Sequence, residues 1–202
     1  HMLPIMIVLA IIHVVAGEFI LKKIKRQGVM LEHAGDDESD RIEEDLERYG
    51  AVGTVLNTVL NVIAILVLST GYSMEYIAEL NGSEARALLI AMGIFILAFI
   101  YSGYWGVRFV KEVQKIYPDK KGDPSTRRFT KEWLESCDEA EQEKIYKAAY
   151  KSYYVGMKIM PMCMMLAMIF HLVWNTGIMA VALVGIIWVV MTVTYNKNCL
   201  GT

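Results

Sequence analysis

The apolar residues of this chain are gathered into five blocks, and the charged residues into the segments between them. The blocks run over 3–21, 52–69, 87–107, 159–173 and 178–195. In a water-soluble domain the same residues would be dispersed at helix or strand spacing, one face to the core and the other to solvent. A helix needs about 17–25 residues to cross hydrocarbon. The block at 159–173 is short for this, and Lys158 extends it by snorkelling toward Tyr154. Lipid offers the backbone no hydrogen-bond partners, so each block is read as helical. The pattern predicts an all-α fold, a polytopic transmembrane helix bundle with spans at about 3–24, 51–70, 86–107, 155–174 and 177–196. These make a single membrane domain over residues 1–202.

Orientation follows from the basic residues. Lys22, Lys23, Lys25 and Arg26 follow the first block rather than precede it, which is the pattern of an anchored helix and not of a cleaved leader. The connection after the third block carries Arg108, Lys111, Lys115, Lys120, Lys121, Arg127 and Arg128, and Lys197 follows the last block. The connection between the second and third blocks carries Glu75, Glu79 and Glu84 with Arg86, and residues 174–177 carry no charge. The positive-inside rule then puts the N-terminus outside and the C-terminus inside a cell membrane, with cytoplasmic segments at about 25–50 and 108–154. An odd number of spans with an external start leaves room for a further helix upstream. Tyr101, Tyr104, Trp105, Tyr146, Tyr150, Tyr153 and Tyr154 mark the inner headgroup level, and Tyr72, Tyr76 and Trp174 the outer one.

The cytoplasmic segments carry helix signals of their own. Ile42, Leu46 and Tyr49 form an apolar stripe in an acidic run, predicting a helix that continues into the second span. Residues 119–124 (DKKGDP) form a turn-rich break, a helix begins near Thr130, and Asp138 with Glu141 has capping-box spacing. That last helix continues into the fourth span, with Gly156 and Pro161 as candidate kink points. Cys137, Cys163 and Cys199 are scattered, with no CxxC, which argues against a disulfide framework and a zinc site.

The stretch KKGDPSTRRFTKEWLESCDEAEQEKIYKAAYKSY, residues 120–153, resembles the cytoplasmic segment of an uncharacterised family of multi-pass membrane proteins of Gram-positive bacteria. The likeness is strongest in KKGDP and KEWLESCDEAEQEKIYKAAYK. It covers the region from the third span through the fourth, and the N-terminal half matches in hydropathy alone. Members of that family are often encoded beside a small helix-turn-helix regulator. The resemblance implies a signalling or regulatory role and no catalytic residue.

Within the spans, Thr54, Asn57, Thr58 and Asn61 share one helical face. Such a stripe at bilayer depth must meet another helix or water. It serves either interhelical hydrogen bonding or the lining of a cavity for a small polar ligand or ion. Glu18 stands four residues before Lys22, the favourable order for a local ion pair. His13 lies deeper, where an imidazole either bonds a neighbouring helix or senses pH or a ligand. Met160, Met164 and Met168 share a face with soft sulfur atoms, yet no second cluster completes a copper relay, and methionine is common filler between helices. Ser102 with Gly106, and Ser152 with Gly156, have the small-residue spacing that lets helices approach closely.

No metal, cofactor or catalytic residue is predicted. Glu43, Glu44 and Arg48 fit E-E-x-x-x-R, and His171 with Asn175 fits H-x-x-x-N, as in an intramembrane protease family. These fragments fall on opposite sides of the bilayer and cannot converge on one site. The acidic run containing Asp36, Asp37, Glu43 and Glu44 is a solvated face or a docking surface for a basic protein, with Trp133 a further contact residue. Repulsion between like charges disfavours direct nucleic-acid binding. The expected function is that of a non-enzymatic membrane sensor or regulator that engages a cytoplasmic partner such as a small helix-turn-helix transcription regulator. The alternative is a transporter or channel component using the polar face of span two. With five spans and no visible inverted repeat, that alternative requires a homo-oligomer. A membrane enzyme is the weakest reading.

Overall fold

The computed structural model describes residues 2–69 and 81–199, leaving aside the side chains of Met2, Asp36, Asp37 and Cys199. Glu75, Glu79, Tyr72 and Tyr76 lie outside the described residues. Among the described residues the structure is helical without strands. The elements are α1 (Met2–Leu31), α2 (Asp36–Ser69), α3 (Gly82–Ile116), α4 (Phe129–Glu135), α5 (Glu139–Trp174) and α6 (Met179–Cys199). All but α4 are long and apolar enough to cross a membrane, five such helices as the sequence predicts.

Helix α2 is longer than a membrane crossing needs. The 34 residues of α2 extend about 50 Å at roughly 1.5 Å each, against a hydrocarbon core of about 30 Å. The acidic segment is therefore not a linker: it forms the first turns of the helix that carries the second span. Only residues 32–35 separate it from α1, and the Gly35 carbonyl accepts from the Ser39 N–H at 2.9 Å to start α2.

Local chemistry sets the other boundaries. Asn81 caps α3 by accepting from the Ser83 and Glu84 N–H groups at 3.1 and 3.0 Å. The Glu84 carboxylate accepts in return from the Asn81 N–H at 3.2 Å. Asp138 and Glu141 form the predicted box at the start of α5, at 2.8 and 3.1 Å. Helix α5 continues through Gly156 and Pro161. It ends at Asn175, whose φ of 51° is left-handed, followed by Gly177 at φ 84°. Asparagine and glycine tolerate that region best, so four residues suffice to reverse the chain into α6.

The chain packs as two compact units, His1–Ser136 and Cys137–Thr202. In the first, α1, α2 and α3 each pack against the other two. One apolar cluster joins Ile20, Leu21 and Ile24 of α1 to Ile42 and Leu46 of α2 and Trp105 of α3, with Tyr49 and Phe109 packed against it. A second joins Met6, Ala64 and Ala91. The Ile42/Leu46/Tyr49 stripe is thus spent on internal packing. The KKGDP turn is tied down as well: the Gln114 amide donates to the Gly122 carbonyl at 2.7 Å, and the Lys121 N–H donates to Ser136 Oγ at 3.0 Å.

The second unit is the hairpin of α5 and α6. The Tyr153 and Tyr195 rings stack at 4.4 Å. A Cβ added at Gly156 would lie 3.1 Å from Met191 Cε, so this glycine marks a close approach, as its small-residue spacing suggests. Gly106 of the other small-residue pair faces open space, and only its mate Ser102 is buried. Lys158 turns back over the Tyr154 ring, 4.4 Å from its centroid, the direction expected of a snorkelling lysine.

Candidate functional site

Between the two clusters of the first unit, polar groups from all three long helices meet. His13 of α1 is only 5% exposed. Its Nε2 lies 2.6 Å from Asn57 Oδ1 on α2. An amide oxygen only accepts, so Nε2 carries the proton. The imidazole also stands edge-on to the Tyr101 ring of α3, centroids 5.6 Å apart. One turn along α2, Asn61 Nδ2 donates to the buried Ser102 Oγ of α3 at 2.8 Å.

The other two stripe members behave differently. Thr54 and Thr58 donate to the Gly50 and Thr54 carbonyls of their own helix, both at 3.0 Å. This back-bonding to the preceding turn satisfies a hydroxyl in an apolar setting. The stripe therefore divides: its asparagines cross to other helices and its threonines do not. Interhelical bonds of this kind contribute about 0.6 kcal/mol each, up to about 1.7.

Glu18 is the charged centre of the site. The sequence spacing predicts a local pair with Lys22, but the carboxylate is held instead by Arg108, at the basic end of α3. The guanidinium forks over both oxygens, Nη1 on Oε1 and Nη2 on Oε2, the latter at 3.0 Å. The Tyr101 hydroxyl stands 3.1 Å from Glu18 Oε1 and 3.3 Å from the Val14 carbonyl. A planar fork matches a carboxylate in a way an ammonium cannot, which explains why the distant arginine wins over the near lysine. Arg108 also lies over the Tyr104 ring, 5.4 Å from its centroid.

Trp105, which sequence reasoning reads as an interfacial anchor, is instead the buried pivot of this unit at 3% exposure. Its Nε1–H donates to the Gly17 carbonyl at 3.0 Å, and its ring stacks on Phe109 with centroids 5.5 Å apart. Two glycines make room for it. A Cβ on Gly53 would stand 2.7 Å from Trp105 Cη2, and one on Gly17 would stand 2.6 Å from Tyr101 Oη and 3.0 Å from Trp105 Cδ1. Both glycines escape the sequence reading. The available signal was a lone glycine inside an apolar span, opposite nothing that a single sequence can identify.

The space left between these groups is small. A cavity of about 10 Å³ is bounded by His13, Gly17, Gly53, Asn57 and Trp105 with Ile20, Leu56 and Leu60. That is room for about one water molecule. Among the described residues, no three of His, Cys, Asp and Glu converge as metal ligands.

The candidate partner-binding residues lie elsewhere. Glu43 and Glu44 are exposed on α2, beside the buried Ile42 and Leu46. The neighbouring Asp45 accepts from Gln27 Nε2 of α1 at 3.2 Å. Trp133 is half-buried on α4, its ring 5.5 Å from that of Phe129. Asp36 and Asp37 begin α2, but their side chains are outside the described residues.

A family model described as "Protein of unknown function (DUF3169)" matches residues 2–198. The match takes in all the long helices and their connections, well beyond the 120–153 stretch. No curated protein and no solved structure matches the chain.

Proposed function

We infer that this chain, which belongs to the DUF3169 family of unknown function, is a non-enzymatic sensor or regulator of the cell membrane that engages a cytoplasmic protein. Its N-terminus lies outside and its C-terminus inside, as the distribution of Lys and Arg requires. The observation that carries this reading is the continuity of the first unit. The apolar cluster of Ile20, Leu21, Ile24, Ile42, Leu46 and Trp105 joins the polar site inside the spans to the helix turn that displays Glu43 and Glu44. A packed core has few ways to deform, so a change at the His13/Asn57 or Glu18/Arg108 contacts moves the acidic turn with it. No flexible linker intervenes to absorb the motion.

The partner in this reading is a small helix-turn-helix regulator, which the resemblance of residues 120–153 implies. Its basic DNA-reading face complements the acidic turn of α2, so membrane capture and DNA binding compete for one surface. The polar stripe supplies no comparable support for a transport path, because its asparagines are engaged between helices around a one-water cavity.

The test is co-purification of the full chain in detergent with the neighbouring regulator. The wild-type chain is expected to retain it, and the Glu43→Lys/Glu44→Lys variant to lose at least about tenfold in affinity, since like charges juxtaposed at an interface cost several kcal/mol. Absence of association in both detergent and native membranes would overturn the reading.

A further inference from the structure

We propose that Lys23 and Arg26 form a binding site for the phosphodiester of an anionic phospholipid at the basic end of the first span. The proposal rests on the membrane reading of α1 and is independent of the cytoplasmic partner.

Lys23, Arg26, Gln27 and Met30 line a hollow of about 220 Å³. Their spacing places them on one face of α1, so both cations reach a single anion in the hollow. Lys25, close by in sequence, is committed to Glu112 of α3 at 3.5 Å. Asp45 touches this face and accepts from the Gln27 amide; its single negative charge is outnumbered by the two cations of the hollow.

What lies one turn below selects the kind of phosphate. The Lys23 ammonium is 5.6 Å from the Phe19 ring centroid, and Phe19 is well exposed on the apolar side of the boundary. A headgroup held by Lys23 and Arg26 would lay its acyl chain along Phe19, whereas a free phosphate has no use for an apolar flank. Gln27 Oε1 is buried with no hydrogen-bond donor among the described residues. Phosphatidylglycerol, whose phosphodiester carries the headgroup's only charge, presents that anion and its acyl chains together and is the lipid assigned.

The test uses the full chain in neutral detergent, with lipid retention read by native mass spectrometry against equal mole fractions of phosphatidylglycerol and phosphatidylcholine. Each basic residue near an anionic surface contributes about fivefold in affinity. Lys23→Gln/Arg26→Gln should therefore lower phosphatidylglycerol affinity by about 25-fold and leave phosphatidylcholine unchanged. Arg127→Gln/Arg128→Gln, with the same change in charge, should keep wild-type retention, and so should Lys23→Arg/Arg26→Lys. If the double glutamine variant loses helix content or monodispersity, Arg26→Gln at its exposed position should still show about a fivefold loss. Equal retention of the two lipids, or equal losses in both charge-removing variants, would overturn the site. Displacement of phosphatidylglycerol by millimolar inorganic phosphate would overturn the lipid assignment in favour of a soluble anion. Loss of the regulator with lipid binding intact would instead fall on the cytoplasmic reading.

Discussion

Replacing Trp105 with alanine should destabilise the first unit by about 3–5 kcal/mol, the range for truncating a buried tryptophan. Trp105 is 3% exposed, and its indole fills the space that Gly17 and Gly53 leave open. Truncation removes that volume and leaves the Gly17 carbonyl without its second donor. Trp174 is the control: at 63% exposure and with its ring stacked on Phe170 of its own helix, its alanine variant should cost no more than about 1.5 kcal/mol. Reversible unfolding in mixed micelles, with denaturing detergent as the titrant, measures both. Equal losses at the two positions would remove Trp105 as the pivot.

The second large effect is expected at Glu18. Glu18→Gln keeps the shape and deletes the charge, so Arg108 is left facing a neutral amide at the membrane boundary. Breaking a fully buried pair by removing one partner costs about 3–5 kcal/mol. Here the side chains retain 29% exposure for Arg108 and 44% for Glu18. An exposed pair is worth about 0–1 kcal/mol, so the expected loss is intermediate, about 1–3 kcal/mol. Glu18→Gln/Arg108→Gln should recover part of that loss, because no unmatched charge remains. The same micelle titration, run as a double-mutant cycle, reads the coupling. A coupling near zero would mean that the fork contributes geometry and no stability.

The contrast between what the sequence discloses and what it conceals follows from range. Span positions, the helical run from Asp36 into the second span and the Asp138/Glu141 cap depend on residues within a turn or two of each other, and all are readable in one chain. The pairing of Glu18 is not. Lys22 is its correct neighbour by helical spacing, but Arg108, 90 residues on, offers a better-matched donor, and only the packing of α1 on α3 brings it near. The polar stripe was legible as a stripe, while its division into bridging asparagines and self-satisfied threonines depends on which partner helix stands opposite each position. Trp105 illustrates the same limit. A tryptophan closing an apolar block reads as an interfacial anchor, and its burial depends on two glycines in other helices.

Single-cysteine labelling tests directly whether the helices cross the bilayer with their basic connections on the inner side. In a variant with Cys137, Cys163 and Cys199 replaced by serine, Ser83→Cys and Arg127→Cys flank α3 and its basic connection. A membrane-impermeant thiol reagent added to intact cells should label the Ser83→Cys protein at once. It should label the Arg127→Cys protein only after the membrane is permeabilised. Labelling of both positions in intact cells, or of neither until permeabilisation, would contradict a crossing between them.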